Sequence, residues 1–348
     1  MKIVHVAWLG RKNFGDDIMY ESFSSHLKSE FGEYEHCIWC DQAPIHTDNP
    51  EWIYKQPNQN GIIKRMQENR ALKKADYLII GGGSILHSYH SSKWKKRGAV
   101  YLKKKNKKSK ALGVGLSVGP FDSAEDEKAC VEFLMSIDAC AFRDLASYDF
   151  AKNLSLPYKP ILAFDLLGGS RLIENIDRRT STGEIKTVGI AIRKPYRVDK
   201  ELVLKQYQSL VERLAQTFQS VMIFSFSNDE IQLAAYLEKT INKKNTIIVT
   251  YNGNTADLIK KVNECDFFIS SKLHGGILAF LLNIPFALIS YQKKFKDFAN
   301  YIKLPENYVF DQENFKASEV YSRIGSYKLP SQNEFIALAK KNFEIFNF

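Results

Sequence analysis

Short apolar runs spaced by stretches of helical periodicity recur in two series along this 348-residue chain, and they set narrow limits on its fold. Tyr77-Leu78-Ile79-Ile80 and Val221-Met222-Ile223-Phe224 are apolar at every position, not at every second one. A strand with one wet face alternates. A strand that is apolar throughout is covered on both faces, as in a parallel sheet lying between helices. In the first half, strands read at residues 3–9, 36–39, 77–80, 111–118, 139–142 and 161–164. Between the first two, Ile18, Met19, Phe23, Leu27 and Phe31 recur at helical spacing, which predicts an amphipathic helix over 16–31.

Residues 168–184 lose this periodicity and fill with Gly, Ser, Thr and charge, the composition of a linker. The alternation then restarts. Strands are expected at 187–192, 221–226, 246–251, 267–270 and 286–290, and helices at 200–218, 228–241, 255–263 and 276–282. Ser331 with Glu334 makes a capping box ahead of a last amphipathic helix. The expected class is α/β, with two Rossmann-like domains whose parallel sheets face a central cleft. The first covers 1–175, the second 185–328, and a C-terminal helix 329–348. Ligands of such folds sit beyond the carboxyl ends of the strands, so the cleft is the expected site.

Composition narrows the classes further. With 45% apolar and 25% charged residues the chain is globular, neither disordered nor collagenous. Five cysteines, an odd number, argue against a disulfide-stapled secreted framework. Cys37 and Cys40 have a C-x-x-C spacing, yet they sit in a strand-like run with no second pair, so buried thiols are expected. The longest apolar stretch, 277–289, is interrupted by Asn283 and Pro285 and is shorter than the roughly 20 residues a membrane span needs. The N-terminus reads as a first strand, and a cytoplasmic location is the expectation. The net charge of +10 has one origin: residues 93–110 hold ten Lys or Arg, Lys93 and Lys110 among them, and no acid. That run reads either as a solvated surface or as a patch for an anionic membrane or a polyanionic substrate. Nucleic acid is not an expected partner, because no nucleic-acid-binding motif accompanies the charge.

The residues suited to chemistry all fall at strand ends. Asn13-Phe14-Gly15-Asp16 follows the first strand, Gly81-Gly82-Gly83-Ser84 the third, and Arg143-Asp144 the strand ending at Phe142. In the second half Arg193 ends a strand, and Ser270-Ser271-Lys272-Leu273-His274 opens a helix. A glycine triplet alone is a tight turn, a lone Asp a cap, and a lone His structural. Arg143, Arg193, Lys272 and a helix N-terminus converging on one crevice instead describe a site for a small, multiply charged anion. No P-loop and no G-x-G-x-x-G occurs, which disfavours phosphate-loop and dinucleotide chemistry.

In this order, Asn13-Phe14-Gly15-Asp16, Gly81-Gly82-Gly83, Gly113-Val114-Gly115 through Pro120, and Phe142-Arg143-Asp144 with Ser147 resemble the polysaccharide pyruvyl transferase family. The match continues through Asp165, Val188 to Arg193, Lys272-Leu273-His274 and Pro285 to Lys294. The resemblance implies a GT-B-like fold, with 1–175 on the acceptor side and 185–328 on the donor side, and transfer of pyruvate from phosphoenolpyruvate onto two hydroxyls of a sugar, giving a cyclic ketal. It departs at one place: the family usually has Arg-Leu-His, and Lys272 lacks the planar two-pronged grip of arginine.

The implied chemistry assigns roles. His274, titrating near neutral pH, is the expected general acid for the methylene carbon, and Asp16 takes a hydroxyl proton or orients the acceptor. Arg143, Lys272 and Arg193, with Ser271 and Leu273, are expected to hold the donor, and Asn13, Gly15, Gly82 and Gly83 the acceptor. No metal and no cofactor is expected beside phosphoenolpyruvate as donor substrate. The acceptor is a sugar on a nucleotide, on a lipid or in a glycan, and a peripheral place at the inner membrane face follows if the basic run 93–110 binds lipid. Two alternatives stay open: a nucleotide-sugar glycosyltransferase of the same fold, and a non-catalytic protein binding acidic glycans or a membrane surface.

Overall fold

The computed structural model describes residues 1–40, 51–54, 61–88, 92–177, 183–195, 198–325 and 327–347. Two compact units emerge, each an α/β layer structure of the expected class. The first comprises Met1–Arg11, Asp16–Ser170 and Glu334–Phe348, and the second Lys12–Gly15 with Arg171–Asn333. The C-terminal segment therefore belongs to the first unit: Phe335 packs edge-on against Phe164, and buried Asn342 donates to the Phe164 carbonyl at 2.7 Å.

Among the described residues the first unit has seven strands, all paired in parallel. They are β1 (Lys2–Val6), β2 (Glu35–Cys40), β3 (Glu51–Tyr54), β4 (Tyr77–Leu86), β5 (Lys110–Val118), β6 (Ala139–Phe142) and β7 (Ile161–Leu162). Their order is β3-β2-β1-β4-β5-β6-β7. The second unit has six: β8 (Thr187–Ala191), β9 (Ser220–Ser225), β10 (Thr246–Thr250), β11 (Phe267–Ser270), β12 (Phe286–Ser290) and β13 (Val309–Asp311). Their order is β10-β9-β8-β11-β12-β13, also parallel throughout. In each sheet the order reverses beside the first strand, between β1 and β4 and between β8 and β11. Such switch points leave a crevice at the carboxyl ends.

The apolar runs lie in the cores as their pattern demands: Leu78, Ile79 and Ile80, like Val221, Ile223 and Phe224, are fully buried. Helices start where short polar side chains satisfy exposed backbone N–H groups. Asp199 accepts from Glu201 and Leu202 N–H ahead of the helix Lys200–Thr217, and Asn254 from Asp257 N–H ahead of Thr255–Asn263.

Three expectations change. The glycine triplet does not end its strand: β4 runs on through Gly81-Gly82-Gly83 to Leu86, with a register shift against β5 between Gly83 and Leu86. Gly82 and Gly83 have φ of +81° and +97°, values that favour glycine, so the triplet is a bend built into the strand. The expected linker carries a 3-10 turn, Leu166–Gly169, and a short helix, Arg171–Glu174; its residues 178–182 lie outside the described ones. The helix opened by Lys272 spans Leu273–Leu281, earlier in the chain than the apolar periodicity indicates.

The basic run is also less uniform than its sequence. It forms the helix Lys93–Lys105 and the start of β5. Lys93 pairs with Glu125, Lys96 with Glu132, Arg97 with Glu68 and Lys103 with Asp138, while Lys95 is buried. Lys104, Lys105, Lys107 and Lys108 stay exposed. All five cysteines are buried and none forms a disulfide. No helix of the described residues is long and apolar enough to cross a membrane.

Candidate active site

The second unit gathers its polar residues at the carboxyl ends of β9, β8, β11 and β12, four neighbouring strands. Residue 193 lies just past β8 and 272 just past β11; the two strands pair Ala191 with Ser270, and Ser271 N–H donates to the Ala191 carbonyl at 2.8 Å. Ser227 leaves β9 and Tyr291 leaves β12 at the same edge. This is the switch point of the sheet, so the positions of Arg193 and Lys272 follow from strand order.

His274 stands in the first turn of Leu273–Leu281, half-buried. Its ring lies against the backbone of Gly15: a Cβ placed on Gly15 would sit 1.8 Å from His274 Nδ1. Only glycine leaves room for the imidazole at that point. The turn that carries Gly15 is fixed to this unit. Phe14 N–H donates to the Phe226 carbonyl at 2.9 Å, the Phe14 ring meets Phe226 and Tyr251 edge-on, and Asn13 forms a single antiparallel bridge with Ser227. The structure therefore brings Asn13, Gly15 and His274 together although about 260 positions separate them in sequence. Asp16 follows directly and belongs to the first unit.

Lys272 is held by a carboxylate that the sequence reading does not single out. Its Nζ lies 3.1 Å from Glu230 Oε1 and 3.4 Å from Ser227 Oγ, and Ser227 in turn donates to Glu230 Oε2. Glu230 is buried and the Lys272 side chain is 13% exposed. Removing either partner would leave an uncompensated charge in a poorly solvated place. Arg193 stacks its guanidinium over Tyr291, 3.9 Å from the ring centroid, and donates through Nη1 to the Tyr291 hydroxyl. Lys294 Nζ lies 5.8 Å from the same ring. Ser271 is not available for a ligand: it is fully buried and its hydroxyl shares a 2.7 Å hydrogen bond with Tyr207, whose phenol is pushed up by burial. Leu273 is buried as well, a packing residue of the helix.

Arg143, expected to hold the donor, is a buried cation, 5% accessible in the first unit. Nε donates to Ser117 Oγ at 2.6 Å, Nη1 to Asp165 Oδ2 at 2.8 Å and Nη2 to Ser84 Oγ at 2.9 Å. Asp165 also accepts from Leu167 N–H at 3.0 Å, and Asp144 caps its helix through Ser147 N–H at 2.8 Å. The guanidinium thus ties the ends of β4, β5 and β6 to the turn after β7. A Cβ on Gly83 would lie 3.8 Å from Arg143 Nη1 and 3.3 Å from Met19 Cε, and one on Gly82 3.8 Å from Met19 Cβ, so these glycines border the same buried network.

Glu230 and Tyr291 are the functional candidates the sequence reading passes over. Ser227-Asn228-Asp229-Glu230 has the spacing of a capping box, a signal that marks a helix start but not a partner 42 residues away. Tyr291 falls inside the stretch Pro285 to Lys294 that resembles the family, where the sequence assigns it no role.

The polysaccharide pyruvyl transferase family matches residues 13–293 of the chain. No curated protein matches it. Among solved structures, UDP-GlcNAc 2-epimerase from Neisseria meningitidis bound to UDP-GlcNAc is 10% identical, with all of both chains covered and a TM-score of 0.64. The epimerase of Methanocaldococcus jannaschii is also 10% identical, covering 100% of this chain and 99% of its own, with a TM-score of 0.65. The apo lipopolysaccharide outer core galactosyltransferase WaaB is 11% identical over 100% and 98%, with a TM-score of 0.51. At these identities the likeness is one of fold, the GT-B-like class of two Rossmann-like domains.

Proposed function

The chain belongs to the polysaccharide pyruvyl transferase family, and from that premise we propose that it moves pyruvate from phosphoenolpyruvate onto two hydroxyls of a sugar as a cyclic ketal. The observation that carries this reading is His274, in the first turn of a helix and pressed against Gly15. An imidazole so placed has a defined orientation, and histidine is the side chain most often used for general acid–base transfer.

In the proposed scheme His274 gives a proton to the methylene carbon of phosphoenolpyruvate. The adjacent carbon becomes electrophilic, a sugar hydroxyl adds to it, and inorganic phosphate leaves with the broken C–O bond. The second hydroxyl closes the ketal; Asp16 accepts one of the two hydroxyl protons and the departing phosphate the other. Lys272 and Arg193 hold the donor's carboxylate and phosphate. An ammonium has three donors, and two of those on Lys272 are directed at Ser227 and Glu230, which leaves one for an incoming anion. The N–H groups opening Leu273–Leu281 add a favourable dipole. Arg143, buried and fully engaged, supports the fold of the first unit in this reading, not donor binding.

No metal or cofactor enters the scheme. Phosphate release from phosphoenolpyruvate, measured with a galactose- or mannose-type acceptor in the presence of EDTA, tests it. The reading predicts turnover there and a loss of roughly 10²–10⁴ in His274→Gln. Loss of all activity on chelation would overturn the metal-free scheme. We place the reaction in the cytoplasm at the inner membrane face, where Lys104, Lys105, Lys107 and Lys108 would meet anionic lipid. Sedimentation with anionic vesicles that does not weaken as salt rises would contradict that placement.

A further inference from the structure

A cavity of about 520 Å³ opens at the switch point of the first unit, beside the carboxyl ends of β1, β2 and β4. None of the acceptor residues expected from sequence lines it. Its walls carry four cations, Lys64, Arg65, Lys95 and Arg97, against one carboxylate, Glu68. Arg97 pairs with Glu68 at 3.4 Å, which leaves an excess of positive charge facing the cavity. Lys95 is only 2% exposed, and burial lowers its ammonium to about 8, so an anion at this place would favour its charged form. Gly61, the first residue of the helix Gly61–Lys73, also lines the cavity, and that helix has no acid in its first turn.

Trp39 lines the cavity at the end of β2 and gives it an apolar side. Trp8, stacked under Arg11 at 4.1 Å, gives the cavity an aromatic wall suited to a sugar ring or a base.

We propose that this cavity is the subsite for the phosphate or diphosphate group that links the acceptor sugar to its carrier, so that the acceptor is a sugar diphosphate ester and not a free sugar. The inference rests on the reading of the chain as a sugar pyruvyl transferase. Four cations and a helix N-terminus match the several oxygens of a diphosphate, and would be excessive for uncharged hydroxyls alone. Two carriers share this chemistry, a nucleoside and a polyprenyl chain. The second would find apolar surface nearby: Ile62, Ile63 and Met66, on the helix that supplies Lys64 and Arg65, are 67%, 51% and 66% exposed.

The test is calorimetric titration of the full chain with inorganic pyrophosphate, UDP and farnesyl diphosphate. Saturable binding of pyrophosphate is expected, weakened at least tenfold in Lys64→Glu/Arg65→Glu, with circular dichroism unchanged. Tighter binding of UDP than of pyrophosphate supports a nucleotide-linked acceptor, and tighter farnesyl diphosphate a lipid-linked one. Absence of binding by all three probes, or equal binding by the charge-reversed protein, overturns the subsite. Phosphate release from phosphoenolpyruvate separates this from the parent reading. If the probes bind as expected and no acceptor elicits phosphate, the subsite stands and the pyruvyl transferase reading falls. If a carrier-free sugar is pyruvylated as fast as its diphosphate ester, the reading stands and the subsite falls.

Discussion

Arg143 in the first unit and Lys272 in the second occupy comparable places, each just past a strand at the carboxyl edge of its sheet, yet they are built differently. Arg143 is sunk among Ser84, Ser117 and Asp165, all three of its nitrogens engaged. Lys272 meets Glu230 and Ser227 but keeps part of its surface and stands beside a helix N-terminus with His274 two residues on. A cation completed by protein partners stabilises a fold. A cation left incomplete, next to a titratable ring, is suited to a ligand. Charge and position at a strand end do not distinguish these roles; the partners do.

The comparison breaks first, and with the largest effect, at Arg143. Arg143→Ala would strand the Asp165 carboxylate in a buried place, and a loss of about 3–5 kcal/mol is expected, roughly 10 °C in Tm. Thermal unfolding of the variant checks it. Normal melting together with abolished turnover would show that Arg143 binds substrate after all.

Gly15→Ala tests the other side. The new methyl group would collide with His274 Nδ1 and displace the ring. Phosphate release should fall about as far as in His274→Gln, while stability drops by only about 1–3 kcal/mol, the usual cost of overpacking. Full activity in Gly15→Ala would mean that the ring's contact with this turn is dispensable.

A smaller effect sharpens the contrast through pH. In the first unit His5 and His36 stack with centroids 5.7 Å apart. Burial lowers both imidazoles, His36 to about 4, with the neighbouring His36 lowering His5 further. Both are neutral when folded, whereas the unfolded chain takes up protons near pH 6.5. Stability is therefore complete above about 6.5 and is lost as pH falls from there toward 4, by about 1.4 kcal/mol per unit for each histidine. Urea midpoints at pH 7 and pH 5 measure this, and His36→Phe should flatten the dependence. An unchanged midpoint in the native protein would contradict it.

The smallest effect is expected for Lys272→Arg, which installs the family's usual residue. A guanidinium can meet Glu230 and a donor oxygen together, so the requirement for phosphoenolpyruvate should fall a few-fold with little change in maximal rate. A large loss of activity would show that the site has adapted to the shorter ammonium head.

The sheets were legible because strands buried on both faces have no polar positions to hide: β6 and β11 have the bounds expected from their apolar runs, and β5 starts one residue earlier. The strand β3 and the helix Gly61–Lys73 were not read, since Ile62, Ile63 and Met66 face solvent and break the amphipathic pattern that periodicity detects. At the candidate site, His274 and Lys272 showed in a local motif at a helix start. Glu230 did not, because its importance arises only when β9 and β11 are placed on either side of β8. Arg143 was visible as a charged residue after a strand, but its burial depends on Asp165, Ser117 and Ser84 arriving from three other segments.

The claim that most needs a direct measurement is that His274 protonates the donor's methylene carbon. The reaction run in D₂O, with mass and proton NMR analysis of the product, reads this step. The account predicts a ketal methyl group carrying one solvent deuterium, formed roughly 10²–10⁴ times more slowly by His274→Gln. A His274→Gln protein that forms the same deuterated ketal at the native rate would contradict it.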